Sequence, residues 1–231
     1  MIAIIGAMEI EVEVLKDKMQ INEVKKIASS DYYVGTLYGK DVVIVKCNPG
    51  KVNSALCAQT AILEFSPDLI INSGVAGGIK KEIEIGDVVI ASSCCQHDSD
   101  LTIFGAPLGE VTTAKGDIVY FDCDKNYSEI FMNLAQKVYD GTVHSGVVAS
   151  GDVFVADPMK CKKISENFNA LACEMESAAI AQVCFLSDCP YVAIRSISDN
   201  ADSTGKVDFN TFAKQSADKI SELVRVFFQN S

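Results

Sequence analysis

Four short stretches of the chain carry side chains able to move protons or to meet a ligand closely. In ISDNAD, Asp199 follows a strand-like run ending at Ile197 and comes directly after the hydroxyl of Ser198. An aspartate so placed is commonly a turn or helix-capping residue, and position alone favours that role. Its functional alternative is a general acid. CEMES sets Glu174 and Glu176 two residues apart. If the stretch is helical, as the pattern MESAAIAQVCFL suggests, only one of the pair faces a given cleft, whereas an extended chain turns both to one side. GAMEIEVE places Glu9, Glu11 and Glu13 beside a helix start, where the macrodipole favours carboxylates with no further purpose. NSGVAGG, at 72–78, needs its glycines for tight turning or close backbone approach, and matches neither the dinucleotide fingerprint nor the phosphate-binding loop. No one of these stretches names a reaction.

Positioning them requires a scaffold, and the apolar pattern supplies one. IAII, a glycine and then EIEVEVLKDKM read as a buried strand running into a helix with Ile10, Val14 and Leu15 on its apolar side, which puts Glu11 near the junction. Residues 32–38 and 41–47 read as a hairpin around Gly39-Lys40, and 50–63 as a helix. DLIIN (68–72) is a buried strand that breaks into the glycine-rich stretch. Further strands are expected at 86–92, at 142–150 and in YVAIRSI after Pro190. Helices are expected in YSEIFMNLAQKVY, in MESAAIAQVCFL and along a closing stripe of Phe209, Phe212, Ala213, Ile220, Leu223 and Phe227. Alternating strands and helices predict an α/β fold whose largely parallel sheet is covered on both faces. Ligands in such folds bind beyond the carboxyl ends of the strands. The segments 8–11, 73–78, 151–155 and 198–202 are therefore expected to converge on one cleft. No repeat or linker interrupts the pattern, so residues 1–231 are read as one domain.

Composition narrows the partners. A net charge of −11 disfavours nucleic acid and anionic membrane surfaces, which require clustered cations. The chain has two arginines, Arg195 and Arg225, too few for a guanidinium clamp on phosphate within one subunit. Nine cysteines, an odd number with several inside apolar runs such as SALCAQTAIL and AIAQVCFL, fit a reducing compartment. Neither their spacing nor the two histidines, His97 and His144, suits a zinc site, and no metal or organic cofactor is expected. The apolar start, Met1 to Ile5, gives way at once to Gly6 and acidic residues. Neither a signal peptide nor a membrane span is expected there, and the reading is a cytoplasmic protein.

Taken in order, seven stretches resemble one family, the bacterial 5'-methylthioadenosine/S-adenosylhomocysteine nucleosidases of the nucleoside phosphorylase superfamily. They are IIGAMEIEVEVL (4–15), PGKVNSA (49–55), NSGVAGG (72–78), HDSDLTIFG (97–105), SGDVF (150–154), EMESAAIA (174–181) and RSISDNAD (195–202). The resemblance spans almost the whole chain. It implies a three-layer αβα fold around a central mixed, twisted, barrel-like sheet, a homodimer, and adenosine thioethers as small-molecule substrates. It also implies that Asp199 protonates N7 of adenine, that Ser198 orients it, and that Glu11 activates the attacking water. By the same resemblance Glu176 holds the ribose hydroxyls, with Met175 packed on the sugar. Phe154 stacks on adenine, and the backbone of Val155 reads the base edge. Met8 and Phe209 contact the sugar and the 5' substituent, while Leu101 and Phe104 enter the partner's pocket to close it. Val75, Glu174 and Ala201 lie within the matching stretches and complete the expected substrate-binding set. Three departures stand out: Val75 where the family usually has serine, Cys47-Asn48-Pro49 in place of Ser-Gly-Ile, and Ala106 where an aromatic is often found.

The family's reaction explains these residue types. Breaking an N-glycosidic bond makes the sugar oxocarbenium-like while adenine departs carrying negative charge. One acid must meet the base, and a second carboxylate must take a proton from water. Free aspartic acid is ionised at neutral pH, so a donor at position 199 needs apolar walls that disfavour its charge, whereas Glu11 must be ionised. Phosphorylases of the superfamily bring glycine-rich turns and basic side chains to an anion. Here Met8, Glu9 and Glu11 follow the first strand, and a carboxylate there repels phosphate. Hydrolysis is the expected reaction, with a purine nucleoside phosphorylase, an aminofutalosine hydrolase and a non-catalytic nucleoside-binding module as alternatives.

Overall fold

The computed structural model describes residues 1–201 and 205–230. β1 (Ile2–Gly6) runs into α1 (Glu9–Lys18), and β2 (Gln20–Ile27), β3 (Ser30–Leu37) and β4 (Lys40–Lys46) form an antiparallel meander. α2 (Lys51–Phe65) leads to β5 (Leu69–Gly78) and β6 (Val88–Gln96). One tight helical turn at Thr102–Phe104 and the short strands β7 (Val111–Thr113), β8 (Gly116–Ile118) and β9 (Tyr120–Asp122) precede α3 (Lys125–Val138). β10 (Val143–Ser150), α4 (Pro158–Phe168), β11 (Ala170–Glu174), α5 (Ser177–Leu186), β12 (Tyr191–Asp199) and α6 (Gly205–Asn230) complete the order.

Ten strands share one sheet, in the order β11-β10-β6-β12-β5-β1-β4-β3-β2 with β9 on β6. β5 also pairs with β11, at Gly78–Ala172 and Gly77–Cys173, so β5, β12, β6, β10 and β11 close into a ring. Pairing is parallel for β1 with β4 and β5, for β5 with β12, and for β10 with β6 and β11. It is antiparallel where β12 meets β6 and where β11 meets β5. The sheet is thus mixed and partly closed, as the family resemblance implies, and not the largely parallel sheet that alternation alone predicts. Its closure depends on 73–78, which extends β5 to ten residues where a break was expected. Side chains no larger than valine along that run let the strand curl and pair on both flanks.

Successive strand residues feed opposite layers, as the pleat requires. Ala3, Ile5, Val43, Val45, Tyr191 and Ala193 pack with Cys57, Ala58 and Ala61 of α2 and Ile180 and Ala181 of α5. Ile4, Val42, Ile44, Val192 and Ile194 pack on the other side with Val12 and Leu15 of α1, Phe131 of α3, and Ile220, Leu223 and Phe227 of α6. Three layers result. All nine cysteines are free thiols, seven of them buried.

Several local expectations shift. The hairpin turn is Tyr38-Gly39, both residues at positive φ (50° and 81°), so β4 starts at Lys40. The buried side of α1 is Glu11, Val12 and Leu15, because backbone donors draw Glu11 inward and leave Ile10 and Val14 half-buried. Glu174 and Glu176 are not on a helix: Glu174 ends β11 and Glu176 caps α5. The α6 stripe divides, with Ala213, Ile220, Leu223 and Phe227 buried and Phe209 turned to the cavity described next.

Candidate active site

The ends of β1, β5, β11 and β12 open onto a cavity of about 140 Å³. Met8, Glu11, Val75, Phe154, Val155, Glu174, Met175, Glu176, Ser198, Asp199 and Phe209 all line it. All four segments expected to converge contribute residues, although Asp202, at the end of the last, lies outside the described residues. Ala201, Leu101 and Phe104 do not line the cavity. Ala201 is buried behind it, while Leu101 precedes and Phe104 ends the exposed turn at Thr102–Phe104.

Glu11 sits in the first turn of α1 and reaches back over the helix start. Its Oε2 accepts from the N–H groups of Ala7 (2.6 Å) and Met8 (2.9 Å), the latter completing half of a capping box. Its Oε1 accepts from the Val75 N–H (3.0 Å), so β5 holds the carboxylate as firmly as its own helix does. That approach requires glycine at 74, where a Cβ would lie 2.5 Å from Glu11 Oε1. Burial raises the Glu11 pKa, against the opposing charge of Arg195 and the three N–H donors. A buried carboxylate of raised basicity, held by donors that favour its charge, suits a general base acting on water. Val75 takes part through its backbone, and its apolar side chain faces the cavity.

Asp199 ends β12 opposite Gly77, just past a register shift in the β5 pairing. Its Oδ2 accepts from the Ser198 hydroxyl (2.9 Å) and its Oδ1 from the Ala201 N–H (2.9 Å). Ala201 thus serves as a backbone donor to the aspartate. A Cβ at Gly77 would lie 2.8 Å from Asp199 Oδ1, so the glycine makes room for this turn. The side chain is 3% exposed, among neighbours such as Val75, Val155 and Cys173 that line the same cavity.

Glu174 and Glu176 differ although both side chains are buried. Glu174 Oε2 pairs with Arg195 (2.9 Å), and its oxygens also accept from the Ser150 hydroxyl and the N–H groups of Glu176 and Ser177. Burial opposes its charge, but Arg195 and these donors outweigh that and lower its pKa. Among the described residues, the Glu176 side chain receives one hydrogen bond, from the Gly50 N–H (2.9 Å). Burial, followed by the nearby charge of Glu174, pushes its pKa up to about 8. Arg195 itself is anchored to Asn72, Ser177 and Glu174. Burial works against its charge, yet Glu174 foremost among its neighbours raises its pKa. The chain's other arginine, Arg225, pairs with Glu222 on the outside of α6.

The remaining walls are apolar. The Phe154 and Phe209 rings meet edge to face at 5.8 Å and 83°, with Met8, Pro49, Val153 and Met175 around them. Among the described residues, no lysine, arginine or histidine lines the cavity. Sequence reasoning noted Pro49 only as a departure from the family pattern and passed over the Gly50 donor, although both stand in the PGKVNSA stretch. It used Arg195 only as one of too few arginines. No spacing rule links 50 to 176 or 195 to 174, since those contacts exist only once distant strands have paired.

A profile of the Phosphorylase superfamily matches residues 1–229. The 5'-methylthioadenosine/S-adenosylhomocysteine nucleosidase of Geobacillus sp. (strain WCH70) is 40% identical over 228 residues, covering 96% of this chain and 97% of the relative. The Neisseria meningitidis nucleosidase of the same name, solved with methylthio-immucillin-A, superposes with a TM-score of 0.92 at 36% identity over 97% of this chain and 96% of that one. The futalosine hydrolase of Helicobacter pylori superposes with a TM-score of 0.94 at 29% identity over 100% of this chain and 97% of that one. With this extent of match, the chain belongs to the phosphorylase superfamily and, within it, to the bacterial 5'-methylthioadenosine/S-adenosylhomocysteine nucleosidase family.

Proposed function

We propose that this protein hydrolyses the N-glycosidic bond of 5'-methylthioadenosine and S-adenosylhomocysteine, with 5'-deoxyadenosine as a further substrate, releasing adenine and the 5-substituted ribose. One observation carries the reading: two carboxyl groups in unlike settings, Glu11 under three backbone N–H groups and Asp199 beside the Ser198 hydroxyl, border one apolar cavity. Asp199 gives its proton to N7 as the glycosidic bond lengthens, and adenine leaves neutral. Glu11 takes a proton from the water that attacks C1', and its charge favours the oxocarbenium-like sugar. Phe154 stacks on the base, Val155 reads its edge, Glu176 accepts from the ribose hydroxyls and Met175 packs on the sugar. Met8 and Phe209 receive the 5' thioether.

Phosphate as nucleophile fits poorly beside Glu11, with no cation lining the cavity among the described residues. The chain works as one domain in a cytoplasmic homodimer of the methionine salvage route. Leu101 and Phe104, 37% and 84% exposed, with Ile103 between them 86% exposed, support a partner pocket as their destination, and Val52, Leu56 and Leu63 of α2 expose further apolar surface. The test is adenine release from 5'-methylthioadenosine in phosphate-free buffer and with added phosphate. Equal turnover in both is expected. Turnover only with phosphate would assign a phosphorylase, and binding without turnover a nucleoside-binding module.

A further inference from the structure

The carboxylate assigned to the ribose is held at one point. Among the described residues, the Gly50 N–H supplies the Glu176 side chain's single hydrogen bond. Gly50 precedes α2 and offers no side chain to cap it. The cap comes from elsewhere: the Lys51 N–H donates to Asp152 Oδ1 (2.8 Å), from the loop that carries Val153, Phe154 and Val155 into the cavity. The Lys51 ammonium donates to Asp98 Oδ1 (2.7 Å) and Gln96 Oε1 (3.0 Å), and Asp98 Oδ2 accepts from the Asp152 N–H (2.9 Å). Three segments far apart in sequence are thereby tied at the N-terminus of α2, where a carboxylate is stabilised by the helix dipole and the unpaired N–H groups.

Resting on the nucleosidase reading, we infer that Asp152, backed by Lys51 and Asp98, is a positioning residue for ribose recognition. It fixes the first turn of α2 so that the Gly50 N–H stays aimed at Glu176. Asp152 itself does not line the cavity, so its influence on the nucleoside passes through Gly50 and Glu176. Without the cap, α2 starts later, the Gly50 N–H swings away, and the Glu176 carboxylate loses the donor that sets its orientation toward the 2'- and 3'-hydroxyls. Pro49, which borders the cavity one residue before Gly50, moves with it.

The experiment compares Asp152→Ala, Asp152→Asn, Glu176→Ala and the Asp152→Ala/Glu176→Ala double variant, each checked for folding by circular dichroism and Tm. Adenine release is measured with 5'-methylthioadenosine and its 2'-deoxy counterpart. Asp152→Ala is expected to raise KM for the ribonucleoside about tenfold, the size of one lost charge-assisted hydrogen bond, with kcat within about threefold. The 2'-deoxy substrate should be affected less. Asp152→Asn, whose amide oxygen still accepts from Lys51, should recover most of the loss. In the Glu176→Ala background, which has no side-chain acceptor for the Gly50 N–H, Asp152→Ala should add nothing further. Independent, multiplying effects in the double variant, or equal losses for both substrates, would overturn the assignment. If the parent releases no adenine, the nucleosidase reading fails by itself. The positioning role is then read from calorimetric affinities of the same four proteins for adenosine and 2'-deoxyadenosine, with the same criteria.

Discussion

Protonating a purine and activating water ask opposite things of two carboxyl groups. Glu11 faces three N–H groups, a set that favours a fixed negative charge, while Asp199 has the Ser198 hydroxyl and the Ala201 N–H among its partners. Asp199→Asn should reduce kcat for adenine release by about a thousandfold, with nucleoside affinity kept within a few-fold, in line with general acid catalysis of about 10²–10⁴. Glu11→Gln should lower kcat comparably; loss of affinity alone, by calorimetry, would assign it a binding role. Glu176 gives a pH signature. Its pKa is about 8 in the fold against an ordinary 4.5. Between those values the folded protein holds a proton the unfolded chain has released, so this group's contribution to stability falls as pH rises. The Tm of the parent relative to Glu176→Gln should therefore decline from about pH 5 to about pH 8, and a pH-independent difference would contradict that. Asp199, Glu11 and Glu176 were legible in the sequence as a set in seven ordered stretches. Singly, each is an unremarkable turn or helix-start acid. The ion pair behind them, Arg195 with Glu174, was not legible, since it depends on β11 and β12 meeting β5 from opposite sides.

At the level of elements, β5 is the strand on which the chemistry leans. It supplies the Val75 N–H to Glu11, faces Asp199 with Gly77, and stays narrow enough for both. Gly74→Ala should drive a methyl into Glu11 Oε1, with Arg195 Nη1 3.2 Å away to block retreat. A fall in kcat of at least about tenfold is expected, together with a loss of about 1–3 kcal/mol by chemical denaturation. Unchanged kinetics would show that Glu11 tolerates displacement. The glycines of NSGVAGG announced close approach but not continued pairing, because small residues are neutral between turn and curled strand. CEMES misled for a related reason. The helical pattern after it is genuine, but it starts at Ser177, and the preceding acids are taken by the strand end and the cap. β2 gave no signal, because its residues are mostly exposed on both sides and lack the alternation that marks a half-buried strand.

For the whole molecule, the proposed dimer makes the exposed turn at Thr102–Phe104 part of another chain's pocket. Ile103→Asp/Phe104→Asp should yield monomers in sedimentation and raise KM for 5'-methylthioadenosine at least tenfold, about 1.4 kcal/mol. A dimer with parental KM would remove that turn from the site. The layered α/β plan was visible in the alternation of apolar runs. The ring was not, since closure rests on two residue pairs between β5 and β11 rather than on any periodicity. With that end of the sheet joined to itself, the opposite margin at β2 is, among the described residues, the long strand flank left unpaired. Glu23, Lys25 and Lys26 stand on that strand, where mixed charge makes a poor template for another chain's backbone. The cell therefore receives a sheet protein whose main exposure to fibre-like stacking is a single border, already defended by its own lysines.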